Sequence, residues 1–174
     1  MRYRILALFF IFSILVGQPT FEEHAISTAV YDSGPYSVHA ADVDGDGDMD
    51  VLSAFYYDDK IAWYENDGSE SFTEHAISTS ADGANSVYAI DIDGDGDMDV
   101  LSASWDDDKI AWYENDGSES FTEHAISTST DGAYSVHAAD VDGDGDMDVL
   151  SASVIDDKIA WYENDGSESF TEHA

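Results

Sequence analysis

The sequence predicts an all-β chain built from tandem β-propeller blades, and three observations carry that prediction. The chain repeats itself with a period of 49 residues, each repeat holds four short β-patterned runs, and no stretch after residue 20 has the period and length of a helix. The period is read from Asp-rich loops that begin at Asp42, Asp91 and Asp140, and from Glu-His-Ala at Glu23, Glu74, Glu123 and Glu172. The first unit is two residues longer than the others, the extra length falling in Ala29–Ser37 around Pro35. Residues 75–123 and 124–172 differ at only seven positions, as copies from a recent duplication would.

The middle copy shows the four runs in order. Ser86–Ile92 alternates and is rich in β-formers; Val100–Trp105 follows the Asp loop; Lys109–Glu114 reads Lys-Ile-Ala-Trp-Tyr-Glu; Ser120–Ser127 reads Ser-Phe-Thr-Glu-His-Ala-Ile-Ser. Trp105-Asp106-Asp107-Asp108 links the second and third runs. Asn115-Asp116-Gly117-Ser118 links the third and fourth, with Asp-Gly expected to supply the positive-φ residues of a tight hairpin. Four antiparallel strands in a repeat of this length describe a propeller blade.

Applied along the chain, the pattern gives blades at 36–79, 86–128 and 135–174, the last cut short. Residues 21–35 read as the last strand of a preceding blade, Phe21–Thr28, and its connection. Residues 1–20 have the layout of a secretory signal peptide: a basic Met1–Arg4, an apolar run from Ile5 to Val16, then Gly17-Gln18-Pro19-Thr20. The run is shorter than the ~20 residues needed to span a bilayer. A cleaved signal is expected, a retained anchor being the alternative, and either one places the remainder at the cell surface or outside the cell. Closed propellers use roughly 4–8 blades, so three blades form an open arc. Either the chain is a piece of a longer protein, or identical chains associate, for example two giving six blades.

Charge excludes several classes of partner. Thirty-nine Asp and Glu face five Lys and Arg, for a net charge of −34, and after Arg4 the only bases are Lys60, Lys109 and Lys158. Such a surface repels phosphate backbones and anionic lipid, so neither nucleic-acid binding nor electrostatic membrane docking is expected. Ten Tyr, eight Phe and four Trp argue for a packed core rather than a disordered acidic tail. No cysteine is present, which rules out disulfides and thiolate metal sites.

Each Asp-rich loop reads Asp-x-Asp-Gly-Asp-Gly-Asp-Met-Asp. With Asp42 as position 1, side-chain carboxylates fall at positions 1, 3, 5 and 9 (Asp42, Asp44, Asp46, Asp50), and the backbone carbonyl of Asp48 is placed to face inward. Gly47 at position 6 permits the sharp turn. Five oxygen donors, completed by water, suit a hard cation that takes 6–8 oxygens, and a flexible carboxylate loop suits calcium better than magnesium. The second and third sets are Asp91, Asp93, Asp95, Asp97, Asp99 and Asp140, Asp142, Asp144, Asp146, Asp148. An EF-hand is rejected, because it needs a bidentate Glu at position 12, where Ser53, Ser102 or Ser151 stands. The alternative, a solvated acidic turn, would leave five aspartates in nine residues unneutralised in all three copies.

An Asp-x-Asp-Gly-Asp-Gly-x-x-Asp loop between two strands of a repeat this long resembles the FG-GAP repeats of integrin α-subunit propellers, and still more the bacterial secreted proteins built from FG-GAP or VCBS-type repeats. The resemblance covers residues 21–174 and implies a calcium-stabilised propeller whose metal loop joins the first two strands of each blade. Neither the Phe-Gly nor the Gly-Ala-Pro signature of the repeat's name appears in this sequence. The metal expectation therefore carries over more firmly than integrin-type cell adhesion.

The remaining residues point to binding rather than catalysis. Glu74 and His75 are neighbours on a strand and so face opposite ways, which leaves the repeated His as a surface residue. Trp63, Trp112 and Trp161 recur once per blade and are expected in the core between blades. Each Lys follows Asp-Asp and is expected to neutralise that turn. No Ser-His-Asp order, P-loop or dinucleotide motif is present, and near-identical copies are poor at making the two unequal carboxylates a glycosidase needs. No enzyme activity is expected. The copies disagree in the connection between blades and in the second-to-third turn, where Tyr56, Tyr57, Trp105 and Ile155 stand, on the edge opposite the metal loops. The expected function is a secreted calcium-dependent module that binds a protein or glycan there. The alternative is an accessory propeller fragment of a larger exported, polysaccharide-degrading enzyme.

Overall fold

The computed structural model describes residues 21–28 and 33–174, so the expected signal peptide at 1–20 lies outside the described residues. Within them the chain is all β. Strands β1 (Pro35–Ala41), β2 (Asp50–Phe55), β3 (Lys60–Asn66) and β4 (Phe72–Ser78) form sheet 1. Sheet 2 holds β5 (Ala84–Ile90), β6 (Asp99–Ser104), β7 (Lys109–Asn115) and β8 (Phe121–Ser127). Sheet 3 holds β9 (Ala133–Ala139), β10 (Asp148–Ser153), β11 (Lys158–Asn164) and β12 (Phe170–His173). Each is an antiparallel meander in chain order, as short connections dictate.

Strand bounds shift by one or two residues from the sequence expectation, with β5 starting at Ala84 and not Ser86 and β6 running Asp99–Ser104 and not Val100–Trp105, and one expected strand is missing. The first strand of each sheet ends before the Asp-rich loop, so β5 stops at Ile90 and not Ile92. The cause is local: the Ile92 N–H turns inward to donate to Asp99 Oδ2 at 3.0 Å, which draws the residue out of the ladder. The strand expected at Phe21–Thr28 does not form. Its counterparts β4 and β8 pair with β3 and β7, whereas Phe21–Thr28 pairs with no strand among the described residues. Instead Ser27 reaches the Tyr64 hydroxyl on the outer part of sheet 1.

The third-to-fourth hairpin is also not the two-residue turn that Asp-Gly suggests. Gly68 has φ +72°, but the second left-handed residue is Glu70, at φ 64°. Asp67 organises the loop, its Oδ1 accepting from Ser69 N, Ser69 Oγ and Ser71 N. Gly68 is required for a second reason. A Cβ there would run into the Asp48 carboxylate of the Asp-rich loop.

Strand alternation gives each sheet two apolar faces. On sheet 1, Leu52, Ala54, Ile61 and Trp63, joined by Val43 from the loop, point forward and are buried against Val87, Ala89, Val100, Ala111 and Tyr113 on the back of sheet 2. The forward face of sheet 2, Leu101, Ala103, Ile110, Trp112 and Ile92, packs identically on Val136, Ala138, Val149, Ala160 and Tyr162 of sheet 3. Trp63 and Trp112 are accordingly buried in the core, whereas Trp161, on the forward face of sheet 3, is half exposed. The same sequence face is core or surface according to whether another sheet follows.

Polar bonds lock these interfaces. Asn115 Nδ2 donates to Val43 O at 3.3 Å in the preceding metal loop and to Met98 O at 3.2 Å in its own. Asn164 repeats both bonds with Ile92 O and Met147 O. Val87 N donates to Ser37 Oγ, and Val136 N to Ser86 Oγ, each at 3.3 Å. Along the inner strands, Tyr88 lies between His39 and His137, with ring centroids 4.6 and 4.4 Å away.

Candidate metal centre

The loop between the first two strands of each sheet coils tightly because aspartate side chains cap its own backbone. In the first loop, Asp44 Oδ1 accepts from Asp46 N at 3.1 Å, Asp46 Oδ1 from Asp48 N at 2.8 Å, and Asp42 Oδ2 from Gly47 N at 3.1 Å. Gly45 and Gly47 take φ of +76° and +98°, which a side chain would strain. The second loop repeats all three caps and adds Gly94 N to Asp91 Oδ1 at 2.7 Å.

At the loop's closing end, Asp50 is fully buried at the start of β2. Its Oδ2 accepts from Val43 N at 2.9 Å and its Oδ1 from Asn66 N at 2.8 Å, so one carboxylate ties the loop to the end of β3. Asp99 and Asp148 do the same with Ile92 and Asn115, and with Val141 and Asn164.

Three carboxylates converge in each loop: Asp42, Asp44 and Asp50; Asp91, Asp93 and Asp99; Asp140, Asp142 and Asp148. One oxygen from each lies within 4.8 Å of the others in its set. The side chains of Asp46, Asp95 and Asp144 do not join these sets; those of Asp46 and Asp95 are exposed and held by the backbone N–H two residues on. Asp48, Asp97 and Asp146 also stand apart, their carboxylates lying against Gly68, Gly117 and Gly166 of the neighbouring hairpin.

Electrostatics show what such a cluster costs without a counter-charge. Burial pushes the Asp99 carboxyl up to about 6, although the Asn115 and Ile92 N–H groups oppose the shift and Asp93 adds to it. Burial likewise raises Asp50, against the N–H groups of Asn66 and Val43 and with help from Asp44 and Asp46. Asp42 Oδ1 is buried with no hydrogen-bond partner among the described residues. An unpaired buried carboxylate oxygen is expensive, and a hard cation between Asp42, Asp44 and Asp50 would satisfy it. All-oxygen donors with no imidazole or thiolate in the set are compatible with a hard cation such as calcium.

Other expected residues are placed as follows. Glu74 and His75 do face opposite ways: Glu74 takes Lys60 Nζ at 2.6 Å and the Tyr64 hydroxyl at 3.1 Å. His75 stacks on Trp63 with centroids 4.7 Å apart and contacts Glu65 at 2.8 Å, so it is half-buried against the core tryptophan and not a plain surface residue. The lysines reach across to the outer-strand glutamate in every sheet, and only Lys109 and Lys158 also contact the turn, at Asp107 and Asp156. The asparagine clamps Asn115 and Asn164 escaped sequence reasoning. Their invariant place in Tyr-Glu-Asn-Asp-Gly was the available signal.

At the opposite edge, the second-to-third turn bonds to the connection between sheets. Tyr56 N donates to Gly34 O and Tyr57 N to Ser33 O, with Trp105 and Asp106 repeating the pattern on Gly83 and Asp82. Tyr36 stacks on Tyr56 at 5.0 Å and meets Tyr57 edge-on at 6.1 Å. Trp105 meets Tyr134 at 6.2 Å. The Asp106 carboxylate of the neighbouring turn raises the pKa of the Tyr56 hydroxyl.

No curated protein matches the chain. Two overlapping windows, residues 42–102 and 91–151, match the FG-GAP-like repeat, and each runs from one Asp-rich loop into the strand that follows the next. Together the windows span most of the three sheets and all three carboxylate clusters, and on that match the chain belongs to the FG-GAP-like repeat family.

Proposed function

We propose that this chain is a calcium-binding repeat module in which each of three ions is structural and pins the first hairpin of one β-propeller blade. The observation that carries the proposal is the convergence of three carboxylates per loop, with the Asp42 oxygen buried and unpartnered. Within each site the residues at positions 1, 3 and 9 hold the ion by side chain, and the carbonyl of the seventh completes the protein's share. Asp46, Asp95 and Asp144 shape the loop or bind through water. Calcium supplies charge compensation, and the chain's own residues position it.

Recognition belongs to the opposite edge. Tyr36, Tyr57 and Tyr134 are exposed there, and an aromatic ridge flanked by carboxylates suits a protein or glycan surface. The module acts outside the cell or at its surface, without enzymatic activity. Calorimetric titration of the chelator-treated chain tests the metal sites: three ions per chain and a higher melting temperature are expected. A melt and circular dichroism spectrum unmoved by saturating calcium would sink the proposal. Glycan-array binding that survives in the wild type and is lost in Tyr57→Ala tests the recognition edge.

A further inference from the structure

The interface between sheets is written twice inside this chain, and one half of it is left open at each end. Sheets 1 and 2 both bury a forward face of Leu, Ala, Ile and Trp at equivalent positions, with Val43 or Ile92 added from the loop. Sheet 3 carries the same set, Leu150, Ala152, Ile159, Trp161 and Val141. Ile159 is 79% exposed, where Ile61 and Ile110 are 0% exposed. The back of sheet 1 shows the reciprocal gap. Val38 is 73% exposed, where its counterparts Val87 and Val136 are 4% and 5% exposed.

The polar halves are open in the same places. Each internal interface uses a loop carbonyl and a strand hydroxyl on the forward side, Val43 O with Ser37 Oγ, then Ile92 O with Ser86 Oγ. On sheet 3 the equivalents are Val141 O and Ser135 Oγ, which receive no such bond among the described residues. The matching donors on the back of sheet 1 are Asn66 Nδ2 and Val38 N. Asn66 makes its own-loop bond to Met49 O at 3.2 Å but, unlike Asn115 and Asn164, makes no second bond to another loop among the described residues. The outer part of the back of sheet 1 is already covered: Ile26 and Ser27 border Phe55 and Tyr64 there, as the Ser78–Ala81 connection borders Tyr113 on sheet 2. What stays open is the inner-strand half, the part the preceding sheet fills elsewhere.

We infer that the forward face of sheet 3 is a docking surface for the back of sheet 1 of a second copy of this chain, joined head to tail by the contacts that join sheets 1, 2 and 3. Such a contact is heterologous, and it forms a ring when the rotation closes. Two copies give six sheets, within the roughly 4–8 of closed propellers. The inference goes beyond the metal proposal and rests on sheet packing, so it stands or falls by association state and not by ion count.

Sedimentation of the full chain in saturating calcium, over a wide range of concentration, tests it with two variants that place a charge on exposed residues. Wild type is expected to form dimers or larger species. Ile159→Glu and Val38→Glu, each altering a side chain that is exposed in the single chain, are expected to keep the wild-type circular dichroism spectrum and to sediment as monomers. Mixing the two is the decisive arm: Ile159→Glu keeps an intact back face and Val38→Glu an intact forward face, so an equimolar mixture regains a dimer. A wild type that stays monomeric throughout, variants that associate as it does, or a mixture that stays monomeric would each overturn the inference.

Discussion

Replacing Asp99 with asparagine separates the two jobs of the buried carboxylate. Asp99 is fully buried, and its oxygens accept from Ile92 N at 3.0 Å and Asn115 N at 2.8 Å. An amide keeps the shape but has one acceptor oxygen, so one of the two N–H groups loses its partner, at a cost of about 1–3 kcal/mol. In chelator that loss is opposed, because the neutral amide escapes the burial penalty that lifts the carboxyl to about 6. The two effects offset each other and the net change without calcium is small. With calcium the middle site is lost as well. An ion present at about 100 times its dissociation constant stabilises by about 2.7 kcal/mol per site, so the variant falls behind wild type by that further amount. For a chain of this size that is roughly 5–10 °C in melting temperature, at about 2–4 °C per kcal/mol. Paired thermal or urea melts of both proteins, in calcium and in chelator, give the double difference directly. An Asp99→Asn chain that loses the same stability in both conditions would refute the metal role of the loop and leave only a hydrogen-bonding one.

Three further outcomes follow from the same geometry. The calcium-free chain should gain stability as pH falls through about 6 toward the ordinary carboxylate value of 3.8, because folded Asp99 holds its proton more tightly than unfolded Asp99 does; in calcium the sign reverses, since protons compete with the ion, and melts at stepped pH read both slopes. Gly117→Ala should cost about 1–2 kcal/mol for its left-handed backbone alone, at φ +73°, and more because the new Cβ meets the Asp97 carboxylate; denaturant midpoints check it. Asn115→Ala should cost about 1–3 kcal/mol by leaving Val43 O and Met98 O without their donor, whereas Asn66→Ala, with one such bond, should cost less in the same assay.

Periodicity made the sheet count, the strand order and the three carboxylate loops legible, because each is a local pattern repeated at fixed spacing. Of the side chains expected together at positions 1, 3, 5 and 9, those at 1, 3 and 9 converge. That position 5 stands outside the cluster was not legible, since Asp46 and Asp44 are the same residue type, each caps the N–H two residues on, and only the coil of the loop tells them apart. The hairpin at Asp67–Ser71 was misjudged because Asp-Gly signals a two-residue turn, while the serines at 69 and 71 supply donors that favour a longer one. Segment 21–28 copies the sequence of β4 but not its structure, because a strand depends on the neighbour that pairs with it. The Tyr88 stack between His39 and His137 was hidden for another reason: it sits where the copies differ, at 88 and 137, so repetition gave no warning of it.

The uniformity of the sheet-to-sheet contact has a consequence for how such a gene can change. The two junctions use side chains at equivalent positions and the same asparagine clamp, and each sheet packs on the next in chain order. Recombination that removes or inserts one 49-residue unit therefore leaves every remaining junction chemically intact. Copy number can drift between lineages without a compensating mutation. What selection then acts on is the curvature of the finished array, and the few aromatic positions at its edge that are free to diverge.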